Sequence, residues 1–210
     1  MNIYIVRHGE TKWNKQKRMQ GSLNSDLTLL GMEDANKLGR SLKNVQFKKI
    51  YSSSSGRAIS TAECIMNENL YAQDHKFKID TKDLFKEMNF GLWEGMYYHD
   101  IEIQFKEQHY NFWNRPELFE PNTGESYGQL IDRARKGIDY IINENRGETG
   151  NILLTTHTAF IKAIYANVKK LKINSFWDKP YLYNNCLSIL NIDNNNNMGF
   201  VLEADISHLE

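Results

Sequence analysis

Cysteine and proline are scarce: two Cys (Cys64 and Cys186) and three Pro stand among 210 residues. Two cysteines cannot build a disulfide framework, and their scarcity fits a reducing compartment. Neither charge is in surplus, since 26 Lys+Arg meet 26 Asp+Glu. A general nucleic-acid binder needs a basic excess to release phosphate counterions, so nucleic acid is not expected as a partner. Long apolar runs are missing too. The N-terminus offers only Ile3-Tyr4-Ile5-Val6 before Arg7, too short for a signal-peptide core or a membrane span. These absences predict a soluble, cytoplasmic chain with no membrane partner.

What is present is ordinary for a globular protein: 40% hydrophobic and 25% charged residues, enough to bury a sizeable core. We read residues 1–210 as one domain. Ile3 to Val6 is β-branched and stops abruptly at Arg7-His8-Gly9, which predicts a strand buried on both faces. Thr28 is placed to cap a helix striped by Ala35, Leu38 and Leu42. A second strand, Lys49 to Ser52, leads into a helix bearing Ala58, Ala62 and Ile65. The strongest helical stripe runs from Ser126 to about Asn145. Ile152 to Thr156 reads as another buried strand, ending at His157 and followed by a helix with Ile161, Ile164 and Val168. Cys186–Ile192 and Phe200–Ala204 flank Asp193–Gly199 as a hairpin. Asp193, Asn195 and Asn197 mimic part of a calcium loop, but Met198 fills the slot that needs glycine, so this is a solvated turn.

Alternating strands and helices predict an α/β protein: a three-layer α/β/α sandwich with a mostly parallel central sheet. Residues 90–119 hold nine of the chain's 25 aromatics. This density predicts a small helical cap insertion, about 90–125, that is mostly satellite core with a few rings over a pocket.

Parallel α/β sheets place ligands beyond the carboxyl ends of their strands. His8 and His157 each follow a predicted strand directly, and Arg7 precedes the first. Arg57 opens the helix after the next strand, and Glu87 follows a short extended segment, Leu84-Phe85. All five are expected on one rim. Guanidinium forks match phosphate oxygens, imidazole can attack phosphorus, and a protonated carboxyl can donate to a departing alkoxide. Fixed cations round the transferred group supply most of the catalysis in such chemistry. Rival motifs are missing: there is no P-loop and no Gly-x-Gly-x-x-Gly. Neither cysteine has arginine six positions later, and no metal-ligand cluster is evident. His99 and His109 read as surface or packing residues, so neither metal nor cofactor is expected.

Arg7-His8-Gly9-Glu10-Thr11, Asn14, Gln20-Gly21, Leu27-Thr28-x-x-Gly31, Tyr51-Ser52-Ser53 and Gly56-Arg57-Ala58-x-x-Thr61-Ala62 occur in that order. Glu87-Met88-Asn89-Phe90-Gly91-x-Trp93-Glu94-Gly95, Gly124-Glu125-Ser126 and Thr156-His157 follow. This ordered set resembles the histidine phosphatase (phosphoglycerate mutase-like) superfamily. Lys12-Trp13-Asn14, Phe112-Trp113-x-x-Pro116, Trp177-x-x-Pro180-Tyr181 and Ser207-His208 bring it nearest to bacterial broad-specificity phosphatases of that superfamily.

The resemblance implies that His8 is the phosphorylated nucleophile and that Arg7, Arg57 and His157 bind phosphoryl oxygens. Glu87 would be the general acid and then the base, while Asn14, Gln20 and Gly21 line the pocket. Two departures stand out. Thr158 replaces the glycine usual after the second histidine, where a backbone N–H would face phosphate. Asn24-Ser25-Asp26 replaces a common Asp-x-Pro turn, and we read that turn as peripheral. The expected activity is metal-independent hydrolysis of small phosphate esters. Phosphoglycerate mutase is the alternative, disfavoured by a Glu87–His157 interval of only 70 residues, and a non-catalytic phospho-ligand binder comes last. The aromatic segment predicts acceptance of aryl esters, with Trp93 and Tyr97 as covering rings. A homodimer is compatible with all of this.

Overall fold

β1 (Asn2–Arg7) buries Ile3, Ile5 and Val6 completely. Such a strand must stand inside a sheet covered on both sides. The computed structural model describes residues 1–147 and 150–210. In it β1 runs parallel to β4 (Asn151–Thr156), β4 to β2 (Phe47–Ser53), and β2 to β3 (Ile79–Lys82). On its other side β1 pairs antiparallel with β5 (Leu187–Ile192), and β6 (Met198–Asp205) completes the predicted hairpin. The order is β3-β2-β4-β1-β5-β6, a mostly parallel sheet with an antiparallel edge.

The helices are α1 (Lys12–Lys15), α2 (Leu29–Ser41), α3 (Gly56–Glu68), α4 (Leu70–His75), α5 (Tyr98–Gln104), α6 (Lys106–Asn114), α7 (Tyr127–Glu144) and α8 (Thr158–Lys169). Leu38 of α2, Leu42 just after it, and Ala62 and Ile65 of α3 pack with Val6, Phe47, Ile50 and Leu153 on one face. Leu130, Ala134, Ile138 and Ile141 of α7 join Ile161 and Ile164 of α8 against Ile3, Ile5, Ile152 and Leu154 on the other. Each Leu or Ile so buried stabilises the fold by roughly 1.5–3 kcal/mol. Thr28 caps α2 by accepting from the Gly31 amide at 3.0 Å. Ser126 and Gln129 cap α7 reciprocally, at 3.3 and 2.8 Å.

One local expectation changes. The segment before Glu87 is not extended: Asp83–Phe85 forms a 3₁₀ turn. The cause is pairing, because Lys82 is the last β3 residue with a β2 partner, Ser53. The aromatic segment is chiefly core. Phe112 is fully buried, with the rings of Phe90, Trp93, Trp113, Phe119, Tyr127 and Trp177 at 4.7–5.7 Å. Its carbonyl accepts from Tyr127 Oη at 2.6 Å and Trp177 Nε1 at 2.8 Å. These rings seat α5 and α6 beside the carboxyl ends of β1 and β4.

Candidate active site

Register assembles the site. Arg7 of β1 is level with Thr156 of β4, so His8 and His157 become neighbours although they lie 149 positions apart in sequence. The His8 amide donates to the Thr156 carbonyl at 2.9 Å, and the two imidazole rings stand 5.2 Å apart at 62°. Beyond β4, β2 ends at Ser53, whose hydroxyl lies 2.8 Å from His157 Nε2. The next turn opens α3 and delivers Arg57. Thr61 ties α3 to the first loop, accepting from the Gly9 amide at 3.0 Å.

His8 Nδ1 is 2.8 Å from the Gly9 carbonyl. A carbonyl only accepts, so Nδ1 carries the proton and Nε2 keeps its lone pair. Burial, with Arg57 and Arg7 adding repulsion, holds the His8 pKa well below the usual imidazole value. The ring is therefore neutral at neutral pH, with an unprotonated lone pair on Nε2. His157 is depressed likewise, by burial and then by Arg57 and His8.

Arg57 donates from Nη1 to Leu23 O at 2.7 Å and from Nη2 to Gly21 O at 2.8 Å. Burial lowers its pKa to about 10, leaving it cationic at neutral pH. Its amide donates to Asn24 Oδ1 at 3.0 Å. This corrects the expectation for the Asn24-Ser25-Asp26 turn, which is not peripheral: Ser55 makes no capping bond, and Asn24 caps α3 from outside. Gly21 has φ +56, and a Cβ there would meet Glu94 Oε1 at 2.2 Å, so only glycine serves. Arg7 donates from Nη1 to Leu182 O at 2.6 Å. Among the described residues, Nε of Arg7, Nε of Arg57 and Nδ1 of His157 are buried without a hydrogen-bond partner. An unmet buried donor costs about 1–3 kcal/mol. Three such nitrogens on residues that converge on His8 suit an anion.

Glu87 Oε1 accepts from the amides of Met88 (2.9 Å), Ala159 (3.1 Å) and Phe160 (3.3 Å). His157 gives α8 no side-chain cap, so Glu87 does so from another segment. Burial raises its pKa above the usual carboxyl value, outweighing those amides, Arg57 and Arg7. A carboxyl shifted this way is suited to hold and hand over a proton.

Arg7, His8, Arg57 and Glu87 share one cleft of about 230 Å³ with Asn14, Gln20, Gly21 and Thr158. Asn14 closes a capping box with Thr11, and Thr158 is the first residue of α8. His157 is not in the wall. It has no exposed surface and stands against His8. The rest of the wall is largely apolar: Met19, Phe90, Tyr98, Phe112, Trp113, Ala159 and Trp177.

The expected covering rings are elsewhere. Trp93 is buried in the aromatic core, and Tyr97 is half exposed with its ring 5.2 Å from the Arg18 guanidinium. Sequence reasoning assigned no pocket role to Met19, which directly precedes the Gln20-Gly21 motif, or to Tyr98, which carries no motif. It also missed Ser53, which its position at the end of the third adjacent strand would have flagged. Among the described residues, no group of three or more His, Cys, Asp or Glu is placed to hold a metal ion, and no helix is long and apolar enough to cross a membrane. Both cysteines are free thiols.

The model of a family described as the histidine phosphatase superfamily (branch 1) matches residues 3–202. A metal-independent phosphoserine phosphatase of Arabidopsis thaliana is 32% identical over 168 residues, covering 79% of this chain and 68% of the relative. Phosphoglycerate mutase-like protein 4 of the same plant is 28% identical over 210 residues, 99% of this chain and 86% of the relative. The solved structure of Bacillus stearothermophilus YhfR superposes with a TM-score of 0.92 at 33% identity, covering 100% of this chain and 99% of that one.

Proposed function

The chain belongs to the histidine phosphatase superfamily, and from that premise we propose a metal-independent phosphomonoesterase that works through a phosphohistidine at His8. Phosphatase activity of this superfamily is the common ground with its relatives. The observation that carries the reading is the His8 Nδ1–Gly9 carbonyl bond, which leaves the lone pair on Nε2 of a ring that lines the cleft.

In the proposed cycle, His8 Nε2 attacks phosphorus and a P–N bond replaces the ester P–O bond. Glu87 gives its proton to the departing alkoxide, which otherwise leaves poorly. Glu87, now ionised, takes a proton from water, whose oxygen attacks phosphorus; the P–N electron pair returns to His8 and phosphate departs. Arg7 and Arg57 stabilise the equatorial oxygens throughout, while His157, buried behind His8, backs that ring. Asn14, Gln20, Gly21 and the Thr158 amide border the phosphoryl group. The apolar wall supports broad acceptance of esters with aryl or apolar leaving groups.

A mutase reading draws on the phosphoglycerate mutase-like relative. It would hold a carboxylate and a phosphate on one substrate at once. Among the described residues the wall offers only Arg7 and Arg57 as cationic side chains, and both are already at the phosphoryl end, which favours hydrolysis. The deciding assay supplies 3-phosphoglycerate, an aryl phosphate, phosphoserine and a nucleoside monophosphate, with chelator present. Free phosphate and an acid-labile, alkali-stable protein phosphate are expected. Isomer formation without free phosphate overturns the hydrolase reading, and loss of activity on chelation overturns metal independence.

A further inference from the structure

We propose that Arg133, clamped by Glu125, is a positioning residue that holds the backbone under Glu87 and so keeps its carboxyl within reach of both α8 and the leaving group. The inference rests on Glu87 being the general acid. Arg133 lies on α7, outside the cleft wall. Its guanidinium has five N–H groups, and five bonds are made. Nε donates to Glu125 Oε1 at 2.8 Å and Nη2 to Glu125 Oε2 at 2.6 Å. The other three donations go to carbonyls of one short segment: Nη1 to Leu84 O at 3.1 Å and Lys86 O at 2.7 Å, and Nη2 to Glu87 O at 3.1 Å.

The segment needs such a clamp. It leaves the sheet at Lys82, forms one 3₁₀ turn and then projects Glu87 across to the amides of α8. Those amides are met at 3.1 and 3.3 Å, so a displacement of a few tenths of an ångström breaks them. Glu125 reaches the same segment beyond Glu87, its amide donating to Asn89 O at 2.8 Å. Gly124 permits this approach: its φ is +99, and a Cβ would lie 2.5 Å from Asn89 O. The Gly124-Glu125-Ser126 motif, otherwise without a role, thereby gains one at each position: close approach, clamp and α7 cap. An ion pair this little exposed is weak evidence of stabilisation as such. Its five-fold geometry is what lysine, a point charge with three donors, cannot reproduce.

The test compares kcat/KM for an alkyl phosphate with that for p-nitrophenyl phosphate, whose anion departs without a proton. Arg133→Lys should lower the first about 100-fold and the second less than about 5-fold, with inhibition by orthophosphate unchanged. Glu125→Gln should show the same split, more weakly, and serves if Arg133→Lys fails to fold. In a Glu87→Gln background Arg133→Lys should add almost nothing for the alkyl ester, because both changes act through one carboxyl. An equal fall for both esters, or additive losses in the double variant, overturns the inference while leaving the hydrolase reading intact. Wild-type protein that hydrolyses neither ester overturns both.

Discussion

The two ends of the cleft are built on different principles. At the phosphoryl end every side chain is fixed by a polar bond to backbone or neighbour: His8 to Gly9, Arg57 to Gly21 and Leu23, Arg7 to Leu182, His157 to Ser53. These residues arrive from the ends of three parallel strands and the helix that follows one of them. At the other end, Phe90, Phe112 and Trp113 are held by ring-on-ring packing, and Trp177 by packing together with its Nε1 bond to the Phe112 carbonyl. Hydrogen bonds fix direction, which attack and proton transfer require. Packing fixes volume, which suffices to choose a leaving group. The difference implies that the apolar end can be recut without touching the chemistry, whereas the polar end tolerates almost nothing.

The largest effect should therefore come from His8→Ala, which removes the proposed nucleophile and should cost at least ~10⁴-fold in kcat/KM for p-nitrophenyl phosphate. Orthophosphate binding should survive, because Arg7 and Arg57 remain in the cleft wall. Substantial turnover by this variant would make the polar end a binding site only. Next comes Glu87→Gln, expected to cost ~10²–10³-fold with an alkyl ester and to erase the alkaline limb of kcat/KM against pH. The signs follow from the shifts. His8 must be neutral, and burial with Arg57 and Arg7 lowers its pKa, so the acid limb falls below the usual imidazole range. Glu87 must be protonated, and burial raises its pKa, so activity falls as pH climbs through that raised value. A raised folded-state pKa also means that the stability Glu87 contributes is full below its unfolded value and is lost above the folded one. Glu87→Gln should consequently raise the thermal midpoint at pH 7 relative to wild type, with the gain vanishing towards pH 4. A midpoint lowered at pH 7 would show that the ionised carboxylate is worth more as the α8 cap than burial costs it.

Much of the polar end is readable before any coordinates. A strand buried on both faces shows as an unbroken apolar run, so β1 and β4 announce themselves, and parallel topology then sets His8 and His157 on one rim. Caps and stripes reveal α2, α7 and α8 for equally local reasons. What could not be read depends on tertiary partners. Asn24 looks like an ordinary turn residue until Arg57, 33 positions later, meets it. Asn14, Gln20 and Gly21 stood out only through a family likeness, since nothing in their spacing marks a pocket. In the aromatic segment short helices carry rings on several sides, so period alone cannot say which ring faces core and which faces cleft.

The apolar end gives the next smaller effect. Trp113 lies in the cleft wall and is itself two-fifths exposed, 4.8 Å from the Trp177 ring. Trp113→Ala should raise KM for an aryl phosphate about 10-fold, the equivalent of roughly 1–1.5 kcal/mol of aromatic contact, and leave kcat within about two-fold. A matching fall in kcat would break the division between the two ends, since it would mean that the rings also orient the ester for attack. Measuring a small alkyl phosphate in parallel sharpens the point: with no ring to stack, its KM should hardly respond.

The smallest effect belongs to Tyr97→Ala. Tyr97 and Tyr98 are adjacent and equally aromatic, yet only Tyr98 lines the cleft. Tyr97 instead covers Arg18, whose guanidinium also lies 4.3 Å from the Trp13 ring and donates to Gly95 O at 2.9 Å. With those two contacts retained, loss of the Tyr97 ring removes one cation–π contact worth about 0.5–1 kcal/mol at an exposed site. The change should appear as a slightly lower thermal midpoint, with kcat/KM for aryl phosphates altered less than about two-fold. Tyr98→Ala, measured beside it, should raise KM for the same esters. Equal responses at 97 and 98 would mean that selectivity follows the whole insertion rather than the few rings that face the cleft, and the boundary between the two ends would have to be redrawn one residue wider.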